Sequence, residues 1–138
     1  MDLNSILSIS GKPGLYKLIS RTKSGALVES LIDKKRMPAF SKDRISSLKD
    51  ISIFTDSDDV SLQEVLQNIY KKENGGKCIS HKSDDKTLRN YMQEVLPSYD
   101  KQRVHVSDMK KIFSWYNILL DNKMIDLEED SSQEESKQ

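Results

Sequence analysis

Residues 15–32 read LYKLISRTKSGALVESLI and predict the centre of the fold. Both halves of this stretch are rich in β-branched, aliphatic and aromatic residues, which favour strands. Between them, Lys23-Ser24-Gly25 matches a tight turn, with Gly25 expected at a left-handed backbone position. The stretch therefore predicts a β-hairpin with strands over residues 15–22 and 26–32.

Turn and strand signals continue on both sides of this hairpin. Glycines and a proline at residues 11–14 predict a turn before it, and residues 33–35 predict a turn after it. Residues 36–40 form a further expected strand, which Pro38 places at a sheet edge or bulge. We expect a loop with a helical turn over residues 41–48 and a half-buried strand over residues 51–54. So few short strands predict a small SH3-like β-barrel or bent β-meander covering residues 1–56.

The following residues, 57–124, predict a three-helix unit. Ser61 and Glu64 form the pattern of a capping box, so the first helix begins there, and the glycines at 75–76 end it. The second helix begins after residue 83 and stops before Pro97. Ser107 is the expected N-cap of the third helix. The fold class is therefore α+β.

The third helix has an unusually wide apolar face. The residues on it are Met109, Ile112, Phe113, Trp115, Tyr116, Ile118, Leu119 and Leu120. Such a helix either lies at the centre of its unit or presents part of its surface to a partner. Trp115 and Tyr116 are the residues that would anchor a partner, because both types are frequent interface anchors.

Composition excludes several classes of protein. The 138 residues carry 22 basic and 22 acidic side chains, 36% are hydrophobic, and no apolar run is long enough to span a bilayer. The first ten residues do not match a signal peptide. Cys78 is the only cysteine, so no intrachain disulfide can form. We therefore expect a cytoplasmic protein without a membrane partner.

The zero net charge conceals a gradient along the chain. Residues 1–55 carry ten basic and five acidic side chains, whereas residues 125–138 carry one lysine and six acidic side chains. The second segment lacks enough apolar residues to form a core, and we expect a disordered acidic tail. This tail either aids solubility or mimics nucleic acid by covering the basic front half.

The basic front half predicts a nucleic-acid interface. Cations lie at the predicted turns and strand edges, and Tyr16 and Phe40 are interleaved with them. Cations on phosphates and aromatic rings on bases are the usual contacts of such an interface. The residues expected to bind phosphate are Lys12, Lys17, Arg21, Lys34, Lys35 and Arg36. The alternative is an ordinary solvated strand surface whose aromatic residues belong to the core.

The sequence offers no convincing catalytic or metal site. Cys78, His81 and His105 are too few for a structural zinc site, which needs four ligands in paired motifs. Cys78 with His81 lacks the surrounding elements of a nucleophilic site. We therefore expect no enzyme activity, no cofactor, no metal and no small-molecule substrate.

Four segments carry a resemblance to a known family: residues 6–16, 35–40, 44–48 and 114–117. Together they resemble a family of small cytoplasmic proteins from Bacteroidota-type bacteria, over residues 1 to about 125. That family pairs an N-terminal domain of unknown function with a helical C-terminal domain. The resemblance implies a bacterial protein with two parts, and it carries no binding residues with it.

Two functional hypotheses follow. The first is a non-enzymatic protein that binds RNA, DNA or a nucleoprotein complex through the basic β unit. The second is a protein–protein adaptor or homodimer that uses the apolar helical face around Trp115.

Overall fold

The computed structural model describes residues 3–40 and 43–125. These divide into a β unit, up to residue 51, and a helical unit, residues 52–125. The α+β class is confirmed. The strands of the β unit are β1 (Ile6–Ile9), β2 (Tyr16–Thr22), β3 (Gly25–Ser30), β4 (Arg36–Phe40) and β5 (Ile45–Ser47). A 3-10 turn, Leu48–Asp50, follows them. Residues 126–138, which include almost all of the expected acidic tail, lie outside the described residues.

The five strands form one antiparallel sheet in the order β4-β3-β2-β1-β5. Strands β1 to β4 are a meander, and β5 returns to pair with β1. Proline lacks the N–H that a central strand needs, and Pro38 does lie on an edge strand, β4. To this sheet the structure adds β1 and β5, which were not expected and which pair with each other. The prediction of a loop with a helical turn over residues 41–48 was wrong in part, because β5 occupies Ile45–Ser47.

A bulge in β2 divides the sheet. Leu18 is in register with Val28, but the next paired residue of β2 is Ser20, opposite Leu27. The extra residue reverses the alternation of side chains beyond it, because side chains of a strand alternate between the two faces. One core cluster of the unit lies on one face of the sheet and contains Leu7, Ile9, Tyr16, Ala26, Val28 and Ala39. Ile6, which is in register with Lys17 on the other face, is also buried.

The helical unit begins with a small hairpin of β6 (Ser52–Ile53) and β7 (Val60–Ser61), followed by α1 (Leu62–Lys72), α2 (Asp85–Val95) and α3 (Val106–Asp121). The strand expected over residues 51–54 is thus two residues long and pairs with β7, not with the five-stranded sheet. The helices pack their apolar faces together, and the Tyr91 and Phe113 rings meet edge to face with centroids 5.1 Å apart.

The predicted N-caps of α1 and α3 can be compared with the structure. The Ser61 side chain accepts the Glu64 N–H at 3.2 Å, which confirms the expected start of α1. The prediction of Ser107 as the cap of α3 was wrong. His105 is the cap, because its N–H donates to the Asp108 carboxylate at 2.9 Å, and the helix begins two residues earlier than a Ser107 cap would allow.

Candidate nucleic-acid interface

Two loops of the β unit meet at one end of the sheet. The Leu31 N–H donates to the Leu15 carbonyl at 2.9 Å, so the β1–β2 loop and the β3–β4 loop are hydrogen-bonded to each other. Gly14 has a φ of 82°, and a Cβ at that position would lie 2.6 Å from the Ile32 side chain. The atom approached is the end of a flexible, exposed side chain that can rotate away, so glycine is favoured here chiefly by the left-handed backbone.

The lysines of the expected interface lie in these loops. Lys12 belongs to the β1–β2 loop, and Lys34 and Lys35 belong to the β3–β4 loop, and all three are exposed. The second loop is held in shape by Asp33, whose carboxylate accepts the Lys35 N–H at 3.0 Å. The meeting of the loops thus brings cations that are more than 20 residues apart in sequence to one end of the unit.

Lys17 and Arg36 extend this end onto one face of the sheet. Lys17 is in register with Glu29, and Glu29 is in register with Arg36, so the three side chains form a row across β2, β3 and β4. The Arg36 Nε lies 3.1 Å from the Glu29 carboxylate. Among the described residues no ion pair involves Lys12, Lys17 or Lys35. Glu29 therefore neutralises part of the row, chiefly at Arg36.

Arg21 lies apart from the other five cations. The β2 bulge puts it in register with Ala26 and Ala39, which belong to the core face, and not on the face of Lys17. It also follows Lys17 by four residues along the strand, a distance of about 13 Å. One end of the β unit thus collects five of the six expected residues: Lys12, Lys17, Lys34, Lys35 and Arg36. We name these five residues the loop-end cluster.

The aromatic residues do not have the expected arrangement. Tyr16 is only 7% exposed and belongs to the core, so its ring cannot stack on a base. Phe40 is 44% exposed but lies at the far end of β4, opposite Gly25. The exposed apolar side chain of the loop end is instead Ile32, which is 62% exposed. Sequence reasoning placed Ile32 inside a strand, whereas β3 ends at Ser30.

The two residues expected to anchor a protein partner differ in burial. Tyr116 is fully buried, and its hydroxyl donates to the Gly76 carbonyl at 2.7 Å. Burial raises the pKa of Tyr116 to about 12. Tyr116 is therefore a core residue and cannot contact a partner. The prediction that it anchors a protein partner was wrong. Trp115 is half-buried, as is Ile118 one turn further along α3.

Cys78 is held in the loop between α1 and α2. Its backbone N–H donates to the Asn117 side-chain oxygen at 2.9 Å, and its thiol lies 3.5 Å from the Phe113 carbonyl. Burial is the larger cause, and the charge of Glu73 the smaller, of a raised pKa of the Cys78 thiol, which is about 12. The thiolate is the reactive form of cysteine, so the raised pKa protects Cys78 from reaction with electrophiles.

Cys78 should consequently resist alkylation in the folded protein. At pH 8 we expect iodoacetamide to react about 1,000-fold more slowly than in guanidinium-unfolded protein, because an ordinary thiol has a pKa near 8.5. The native rate should still be rising with pH at pH 10, since a raised pKa keeps the thiolate scarce below the folded value. Mass spectrometry of quenched samples measures both rates. A native rate within tenfold of the unfolded rate would contradict this environment.

Other kinds of site find little support. Within residues 3–40 and 43–125, no three His, Cys, Asp or Glu side chains are grouped so that they could hold a metal ion. No helix in that part of the chain is long and apolar enough to cross a membrane.

The two units define a class of α+β protein with a small antiparallel sheet followed by a three-helix unit, and comparisons with known proteins agree with this division. Residues 3–48 match the family model described as Domain of unknown function (DUF5606), and residues 51–119 match Domain of unknown function (DUF6852). The chain belongs to the family that combines these two domains.

A solved structure of similar sequence supports the fold. It is a solution NMR structure from Bacteroides vulgatus, determined by the Northeast Structural Genomics Consortium. This chain is 49% identical to it with a TM-score of 0.76, and the match covers 91% of this chain and 90% of that one. The expected resemblance to a Bacteroidota-type family is thereby confirmed. No curated protein matches the chain significantly.

Proposed function

We propose that this protein is a non-enzymatic, cytoplasmic binding protein whose β unit binds the phosphate backbone of RNA or DNA. The observation that carries the proposal is the loop-end cluster, in which Lys12, Lys17, Lys34 and Lys35 are all exposed at one end of the sheet. Phosphate contacts by lysine and arginine supply most of the affinity of proteins that bind without sequence preference.

The shape of the cluster favours backbone contacts over base reading. Its cations sit on loops and on the rim of a sheet, where they can follow a curved chain of phosphates. Tyr16 is buried and the exposed Phe40 lies at the far end of β4, so the described residues of the loop end offer no aromatic platform of the kind that single-strand binders use to stack bases. We therefore expect weak sequence preference and strong dependence on salt.

Charge neutralisation at the cluster tests this proposal. A variant with Lys12, Lys17, Lys34 and Lys35 changed to Gln should bind a fluorescein-labelled 20-nucleotide RNA about 100-fold more weakly at 50 mM salt, because four phosphate contacts are lost. Fluorescence anisotropy measures the affinity. We expect the fold to persist, since these side chains are exposed.

A matched variant distinguishes the loss of the binding site from the change in net charge. Lys82, Lys86, Lys110 and Lys111 are exposed lysines of the helical unit, and changing all four to Gln alters the net charge by the same amount. This control should retain RNA affinity within about threefold, because only the loss of long-range attraction remains. Equal losses in both variants would show that binding is not located at the loop end.

Trp115 supports a second candidate, a protein–protein adaptor or homodimer. Trp115 and Ile118 keep part of their apolar surface exposed on α3, and tryptophan is a frequent anchor of interfaces. If this face forms a homodimer, sedimentation at 100 µM protein should give a dimer for the unaltered chain and a monomer for Trp115→Ala. A monomer in both cases would count against self-association through this face.

A further inference from the structure

The helical unit contains an open groove that neither proposed function uses. Its volume is about 330 Å³, at the lower end of the range of small-molecule sites. Arg89, Asn90 and Gln93 of α2 form one side, and Tyr99, Lys101 and Val104 from the segment after α2 form the other. Met109, in the first turns of α3, completes the lining.

The wall formed by residues 99–104 is firmly anchored. Tyr99 forms a β-bridge with Thr55, and the Asp100 N–H donates to the Phe54 carbonyl at 2.9 Å. The Asp100 carboxylate then accepts the N–H groups of Gln102 and Arg103 at 2.8 and 3.1 Å. These bonds fix the backbone that carries Lys101, so this wall keeps its shape without a ligand.

The floor of the groove is apolar and its rim is cationic. Tyr99, Val104 and Met109 are each no more than 5% exposed, so only small parts of them face the groove. Arg89 and Lys101 are exposed at the rim, and the Lys101 ammonium lies 4.6 Å from the centre of the Tyr99 ring. The ring holds this cation beside the groove by a cation–π contact.

The charge of the lining indicates the ligand. Two cations and two side-chain amides line the groove, and none of its seven lining residues is acidic. Asp100, whose backbone runs between two lining residues, directs its carboxylate to Arg103 at 2.9 Å. An anion can thus enter without meeting a carboxylate of the lining, whereas a cation would be repelled.

We propose that this groove binds a small organic anion. The apolar part of the ligand contacts the small surfaces that Tyr99, Val104 and Met109 present, and its carboxylate or phosphate lies between Arg89 and Lys101. The side-chain amides of Asn90 and Gln93 supply hydrogen bonds that orient it. The site lies in the helical unit and does not depend on nucleic-acid binding by the β unit.

Titration of the ¹⁵N-labelled full chain, followed by NMR, tests the proposal with two anions and their neutral counterparts. 2-Naphthoate is compared with 2-naphthamide, and adenosine monophosphate with adenosine. We expect one or both anions to shift the amide signals of residues 89–104 and to bind at least about tenfold more tightly than the neutral partner. The tighter anion identifies the carboxylate or the phosphate as the preferred group. Inorganic phosphate alone should bind more weakly than the preferred anion.

Variants of the two rim cations provide the control. Arg89→Gln and Lys101→Gln should each weaken binding of the preferred anion about tenfold, since each removes one charge-assisted contact. Lys86→Gln and Lys110→Gln, on exposed lysines outside the lining, should leave it unchanged. All four variants should retain RNA binding, which separates this test from that of the β unit. Equal binding of neutral and charged probes, shifts outside the groove, or unchanged affinity in both rim variants would overturn the proposal.

Discussion

Tyr116→Ala should lower the free energy of unfolding of the helical unit by about 3–5 kcal/mol. The side chain is fully buried in α3, and its removal leaves a cavity in the core. It also removes the hydrogen bond that ties the hydroxyl to the Gly76 carbonyl. Urea denaturation followed by circular dichroism at 222 nm, which reports the helices, measures the loss.

Trp115→Ala is the matched control for this effect. Trp115 is the neighbouring aromatic residue on the same helix but is only half-buried, so its loss should cost less than half as much. Tyr116→Phe removes only the hydroxyl and should cost about 1–2 kcal/mol. Equal losses for Trp115→Ala and Tyr116→Ala would contradict the assignment of Tyr116 alone to the core.

Gly25→Ala should have the largest effect on the β unit, about 3 kcal/mol or more. A Cβ at Gly25 would lie 1.9 Å from the carbonyl oxygen of Ala39, a backbone atom of the adjacent strand β4. The oxygen cannot move without breaking the pairing of β3 with β4. Urea denaturation followed by NMR signals of the β unit measures the loss.

Gly11→Ala separates steric clash from backbone strain. Gly11 has a φ of 83°, but a Cβ there meets nothing within 4 Å, so only the strain of a left-handed alanine remains. This variant should lose about 1–2 kcal/mol. A Gly25→Ala protein as stable as Gly11→Ala would show that β4 does not approach the hairpin this closely.

Local signals in the sequence predicted the local elements well. The pattern around Ser61 fixed the start of α1, and the hairpin over residues 15–32 became β2 and β3. In both cases the decisive contacts are within a few residues of one another. The prediction that Gly25 takes a left-handed position in the turn was wrong: the turn is Lys23-Ser24, and Gly25 is the first residue of β3 with a φ of 156°. Its role is to admit the Ala39 carbonyl.

Features that depend on distant contacts were not predictable. Strands β1 and β5 are strands because they pair with each other, although some 38 residues separate them. The bulge in β2 depends on how β3 pairs beside it. That bulge separates Arg21 from the cluster, although simple alternation would place it on the face of Lys17. Tyr16 is buried because it lies on the core face of the sheet. Composition alone does not show which face of a strand is buried.

The salt dependence of RNA binding tests the central claim most directly. Affinity for the labelled 20-nucleotide RNA is measured by anisotropy between 50 and 200 mM salt. If the loop-end cluster neutralises four phosphates, log K should fall with log salt at a slope of about −3, a loss of about 50-fold over this range. The four-lysine variant of the loop end should lose most of this slope, and the matched helical variant should keep it. No binding at 50 mM salt, or an identical slope in all three proteins, would contradict a phosphate-binding role for the β unit.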